Sequence, residues 1–157
     1  MNDILLRVLA VVLSGVSPEP LEERSVPFSQ LPAECAAVYD AELRQFRQAA
    51  ATEVISIDLD GNKIDELLIF NGNCGSGGEE WVIMQKHHGQ YRKAGVVFGT
   101  LYRSGNGLLV ESPCGWSYAD WNYYELVNGE LTLKLDIDVE YSAPVRKNPV
   151  NVNIKVK

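Results

Sequence analysis

The stretch Leu131-Thr-Leu-Lys-Leu-Asp-Ile-Asp-Val-Glu-Tyr141 constrains the fold more than any other, because apolar and polar residues alternate along it without a break. A period of two puts the apolar side chains on one side of an extended strand and the polar ones on the other, and a helix does not sort such a run. Asn128-Gly129 precedes it, after the apolar-rich segment 122–127. That dipeptide supplies the positive φ angles of a two-residue hairpin turn. Val150, Val152, Ile154 and Val156 repeat the alternation, with Asn151, Asn153, Lys155 and Lys157 between them. The expectation is an antiparallel sheet with one buried and one wet face.

Upstream, segments 53–57, 67–70, 81–85, 91–98 and 108–111 read as further strands separated by glycine-containing turns. One segment breaks this rhythm. Over 33–50, Cys35, Val38, Tyr39, Leu43 and Phe46 recur at three- and four-residue steps, which predicts an amphipathic helix. Four of the seven prolines, Pro18, Pro20, Pro27 and Pro32, crowd into 18–32, which reads as a linker or an extended wrap. The fold expected is α+β: one amphipathic helix packed on a curved antiparallel sheet of about seven or eight strands. With 157 residues and 46% of them apolar, the chain has the length and material for a single domain, 33–157.

Residues 1–17 have the order of a short secretory signal, a charged start followed by the apolar run 8–13, or else form an N-terminal helix. Export to the periplasm or outside the cell is the expectation. The apolar run falls far short of the roughly 20 residues that span a bilayer, so no permanent membrane anchor is expected. Lys and Arg total 14 against 21 Asp and Glu, a formal charge of −7, so a nucleic acid is not an expected partner. A protein partner is expected, and the oligomeric state is left open.

The densest chemistry lies in Asp58-Leu-Asp-Gly-Asn-Lys-Ile-Asp-Glu-Leu67. Asp58, Asp60 and Asn62 offer side-chain oxygens at alternate positions, Ile64 a backbone carbonyl and Glu66 a final carboxylate. Alternating oxygens on a tight loop between strands suit a hard cation with six to eight oxygen ligands. The segment resembles the calcium loops of FG-GAP and VCBS-type repeats over 58–70. It departs from them at Asn62, neutral where the family carries a charge, and at Lys63, where the family has a turning glycine. The resemblance implies weak calcium binding. The competing reading is an Asx-type turn whose carboxylates cap backbone N–H groups and pair with Lys63.

Next comes Asn71-Gly-Asn-Cys-Gly-Ser-Gly-Gly78, then Glu79, Glu80 and Trp81, and later Cys114-Gly-Trp-Ser117. Over 55–116 this order is similar to a group of uncharacterised exported bacterial proteins, which implies no activity. Cys74 and Cys114 each precede a glycine in a loop-like stretch and form the preferred disulfide, closing a loop of about 40 residues and contributing about 3 to 4 kcal/mol. Cys35 then remains as a buried thiol. Without a Cys-x-x-Cys pair, and with only the adjacent His87 and His88, no zinc site is indicated.

The glycine turn is followed by two glutamates and a strand, not by the Lys-Ser/Thr and helix of a phosphate loop. Asn73 and Ser76 of that turn and the aromatic residues Trp116, Tyr118 and Trp121 are candidate partner-binding residues, since rings in polar loops anchor many interfaces. Packing of those rings into the core is the competing reading. The functional expectation is an exported, non-enzymatic binding protein of the inhibitor or immunity type. The alternative is a carbohydrate-active or other hydrolase using carboxylates of the Asp58–Glu80 region.

Overall fold

Strands β1 (Arg24–Pro27), β2 (Ala51–Ile57), β3 (Glu66–Gly75), β4 (Gly78–His87) and β5 (Gln90–Phe98) form one antiparallel meander in chain order. The second sheet contains β6 (Thr100–Ser104), β7 (Gly107–Pro113), β8 (Tyr118–Val127), β9 (Glu130–Tyr141) and β10 (Pro149–Val156), again in order. This computed structural model describes residues 2–14, 18, 20–42, 50–75, 78–113, 117–141 and 149–157. The fold is a β-sandwich of two five-stranded sheets, not the α+β arrangement of a helix on one curved sheet.

The physical reason is a set of apolar runs without alternation. Leu67-Leu68-Ile69, Trp81 to Met84 and Leu108 to Val110 are buried along their whole length, the behaviour of strands covered on both faces. Ile55, Ile57, Leu68, Trp81, Ile83 and Val97 of the first sheet meet Leu101, Leu108 and Val110 of the second in the inter-sheet core. The outer faces are covered as well. Helix α1 (Asn2–Ser14) lays Leu5, Val8 and Val11 on Tyr102, Leu109, Trp121, Tyr123, Leu135 and Ile137 of the second sheet. Helix α2 (Ala33–Glu42) sets Cys35 against Val54, Leu67, Ile69, Val82 and Met84 of the first. The expected helix thus covers 33–42, and 43–49 lie outside the described residues.

The clean alternation of β9 conceals a switch. Tyr123 pairs with Leu135 but Tyr124 pairs with Leu133, so Lys134 is the extra residue of a β-bulge. Leu135, Ile137, Val139 and Tyr141 therefore face α1, while Leu131 enters the inter-sheet core. One unbroken sequence period feeds two opposite faces.

The proline-rich stretch is not a mere linker, because it supplies β1 and a 3-10 turn, Phe28–Gln30. Pro27 opposes Ala51, and the backbone N–H of Phe28 bonds the Ala50 carbonyl. Before β1 the chain crosses between sheets, where Leu21 N–H donates to the Leu101 carbonyl at 2.9 Å. The two sheets join through Gly99, whose N–H donates to the Glu79 carbonyl. At φ +136° a Cβ there would stand 2.2 Å from the Glu111 carbonyl oxygen, so only glycine fits the crossing.

Candidate cation site

The loop 58–65 joins β2 to β3 at the rim of the sandwich, and its first acid follows the last residue of β2 directly. Leu59, 2% exposed, plugs into the inter-sheet core and fixes the loop to it. Around that anchor the acids fold the backbone onto themselves. Asp58 accepts from the N–H groups of Gly61 at 2.8 Å and Lys63 at 2.9 Å. Asp60 accepts from Asn62 N–H at 3.0 Å, and Asn62 Oδ1 from Ile64 N–H at 2.7 Å. Desolvation is the largest single influence on Asp58 and opposes its ionisation, but the N–H groups of Lys63, Gly61, Asn62 and Asp60 together outweigh it and hold its carboxyl below the ordinary range.

Lys63 takes φ +67°, the left-handed conformation that glycine adopts without steric penalty. The backbone thus turns at a position where glycine would fit without strain, and a lysine occupies it. Among the described residues Lys63 forms no ion pair, so the loop is held by N–H caps and not by the lysine charge.

Glu66 opens β3 opposite Ile57, on the face that carries Leu68. It has no exposed surface. One oxygen, Oε2, accepts from Leu59 N–H at 2.7 Å, while Oε1 is buried with no hydrogen-bond partner. Burial raises the pKa to about 7. The Leu59 N–H works against that rise, and the charges of Asp60 and Asp58 add to it. A buried carboxylate oxygen left unsatisfied is costly, and the surroundings hold two more carboxylates.

Oxygens of Asp58, Asp60 and Glu66 lie within 4.8 Å of one another. Two ligands held about 2.4 Å from one calcium ion are at most about 4.8 Å apart, so the three are close enough to share a single coordination sphere. The donor set, all oxygen with three formal negative charges, fits a hard divalent cation and not a soft metal. Asn62 and Ile64, the other two expected ligands, are exposed, and the Asn62 amide is engaged within the loop, its Oδ1 by Ile64 N–H and its Nδ2 donating to Asp60 at 2.9 Å.

Three residues far away in sequence steady the loop, and sequence reasoning missed them. Gln85 of β4 donates to Asp60 at 3.0 Å. Arg103, at the end of β6, reaches the Asp58 carbonyl at 3.3 Å and the Gly105 carbonyl at 3.2 Å. Asn106, in the same hairpin, lies against Gly61. The β6–β7 hairpin of one sheet therefore clamps the acidic loop of the other. No local pattern announces partners 25 and 45 residues away.

The other candidate residues do not gather here. Trp121 is 2% exposed, stacks on Tyr102 with ring centroids 5.6 Å apart, and donates from its indole to the Tyr141 hydroxyl at 3.0 Å. It is a core residue, which corrects its reading as a surface anchor. Tyr118 is half exposed, and its hydroxyl donates to Glu140 at 3.0 Å. Asn73 and Cys74 lie on β3, where Cys74 opposes Glu79. Ser76, Trp116 and Cys114 lie outside the described residues, and with Cys114 the expected Cys74–Cys114 disulfide. Among the described residues Cys35 is a free, buried thiol, its pKa pushed up to about 12 by burial and the neighbouring Glu34. No protein-family model, curated protein or solved structure matches the chain.

Proposed function

We propose that the chain is an exported, non-enzymatic binding protein whose sandwich is locked at one rim by a calcium ion held by Asp58, Asp60, Asn62, the Ile64 carbonyl and Glu66. The observation that carries this reading is Glu66, fully buried with its Oε1 unpartnered and with two further carboxylates close to it. A cation supplies the missing partner and cancels the mutual repulsion of the three acids. Lys63 at the left-handed bend and the neutral Asn62 support an affinity in the weak range of extracellular calcium modules.

An exported setting suits such a site, since calcium outside cells is abundant enough to fill it. The apolar run 8–13 supports export. Partner binding of the inhibitor or immunity type rests on the exposed ring of Tyr118 near the β7–β8 connection and on the glycine-rich end of the β3–β4 hairpin, where Asn73 sits. Hydrolysis by these carboxylates is less well supported, because Glu66 has no surface that a substrate touches and Glu80 is engaged by the Asn71 side chain.

The test is a calcium titration of the purified protein by calorimetry, beside Asp60→Ala. Saturable one-site binding that disappears in the variant supports the cation site. Absence of calcium heat in the wild type, with melting unchanged between calcium and EDTA, leaves the segment as an Asx turn.

A further inference from the structure

Each sheet of the sandwich has two edges, and an edge strand is an open row of N–H and C=O groups that natural proteins blunt. Three of the four edges are managed. Strand β1 is four residues long and ends in Pro27. Strand β6 is strapped by the Leu21 N–H on the Leu101 carbonyl. Strand β5 is broken by a bulge at Ala94, where Ile83 pairs with Gly95 but Met84 with Lys93. Strand β10 differs. It runs eight residues with a regular ladder from Asn151 to Val156, and among the described residues only β9 pairs with it.

The ladder fixes which groups point outward. Lys157 N–H donates to the Lys134 carbonyl at 3.0 Å. In an antiparallel ladder hydrogen-bonded pairs alternate with non-bonded ones, so Lys155, Asn153 and Asn151 bond to β9. The main-chain groups of Val152, Ile154 and Val156 then face away from the sheet. Lysines usually guard such edges. Here Lys155 turns inward to its own sheet, its Nζ 3.4 Å from Asp138 and 4.0 Å from Asp136. On the opposite face Ile154 and Val156 are 38% and 53% exposed.

We propose that β10 is a dimerisation edge, pairing antiparallel with β10 of a second copy about a two-fold axis at Asn153. That register is self-complementary in each respect the strand presents. Val152 meets Ile154 of the other copy through outward main-chain groups on both sides, and the two apolar side chains share one face. Lys155 meets Asn151, so no lysine opposes a lysine, and the Lys155 charge is already balanced within its own sheet. Asn153 meets Asn153 as a non-hydrogen-bonded pair, in keeping with its main-chain bonds to β9. A foreign strand would find the same free main chain but not this symmetric match of side chains. The two second sheets become one sheet of ten strands.

Sedimentation of the full chain over a concentration series, with three variants, tests the pairing. The wild type is expected to move from monomer to dimer over the series. Ile154→Pro deletes an outward donor and leaves the β9 ladder intact, so it is expected to remain monomeric with its circular dichroism unchanged. Asn153→Cys is expected to cross-link to a covalent dimer on mild oxidation beyond the wild-type background, whereas Asn151→Cys, displaced from the axis, is not. A wild type that stays monomeric at the highest concentration overturns the proposal. So does a dimer that survives Ile154→Pro, or preferential cross-linking at residue 151. If Ile154→Pro loses its fold, the two cysteine variants decide the matter. None of these readouts depends on calcium, so the proposal stands or falls apart from the cation site.

Discussion

Replacing Glu66 with Gln keeps the shape of a fully buried side chain while removing its charge, and the effect on stability should be large without the metal and small with it. In chelator, the wild-type carboxyl has a folded pKa of about 7 against an ordinary 4.5. Below the ordinary value the group is protonated in both folded and unfolded chains and costs nothing. As pH rises toward 7 the unfolded chain ionises while the fold retains its proton, so stability is progressively lost. At about 1.4 kcal/mol per pH unit, the loss amounts to about 3 kcal/mol by about pH 8. Glu66→Gln lacks this loss. In EDTA at about pH 8 it should melt roughly 6 to 12 °C above the wild type, and the gap should close as pH falls below about 4.5. With calcium the gap narrows, since occupancy at 100 times the dissociation constant stabilises only the wild type, by about 2.7 kcal/mol, which nearly offsets the loss. Melting curves by circular dichroism at several pH values, in EDTA and in millimolar calcium, give the four quantities. A variant less stable than wild type in EDTA at about pH 8 refutes the buried-charge argument. Equal calcium responses in both proteins refute ligation through Glu66.

Lys63→Gly places glycine at φ +67°; relief of left-handed strain exceeds the entropy cost, so urea melts should show a gain of about 0.5 to 1 kcal/mol and calcorimetry a tighter calcium site. Gly99→Ala drives a methyl into the Glu111 carbonyl and should cost at least about 3 kcal/mol, read as a lower urea midpoint or as insoluble expression. Val8→Ala empties part of the contact between α1 and the second sheet, where Val8 is 1% exposed, and should cost about 2 kcal/mol. An unchanged urea midpoint for that variant would mean that α1 does not lie on the sheet in solution, as expected of a leader that has been removed.

The strands from β2 onward were legible wherever alternation or a glycine turn marked them. The Asn128-Gly129 turn stands between β8 and β9, with Asn128 at φ +53° and Gly129 at +85°. The sandwich was hidden because β9 looks like a strand with one wet face, and the bulge at Lys134 leaves no trace in its period. The better signal lay in Leu67-Leu68-Ile69 and Leu108-Leu109-Val110, whose apolar residues at both parities demand cover on both faces. Strand β6, Thr-Leu-Tyr-Arg-Ser, is too short and mixed to declare itself. Pro27 masked β1, because proline reads as a strand breaker until its missing N–H is placed at a position that needs none. At the candidate site the acids of loop 58–65 were visible as a motif. The burial of Glu66 was not, since it depends on the second sheet covering the face of β3 that Glu66 shares with Leu68. For Trp121, strand parity separates it from Tyr124 but does not say which of the two faces is covered, and a ring amid Asp120 and Asn122 suits either.

Helix α1 lies on a surface built by β6 to β10, strands that begin at Thr100. On the ribosome, α1 therefore leaves the tunnel long before any of its seat has been made. At roughly 5 to 20 residues per second, the interval between the two is on the order of ten seconds. Throughout that time Leu5, Val8 and Val11 have no intramolecular partner, and any factor that captures apolar helices competes for them without opposition. Whether the helix ends on the sheet or is taken elsewhere is thus settled by a race, with translation speed as one of the contestants.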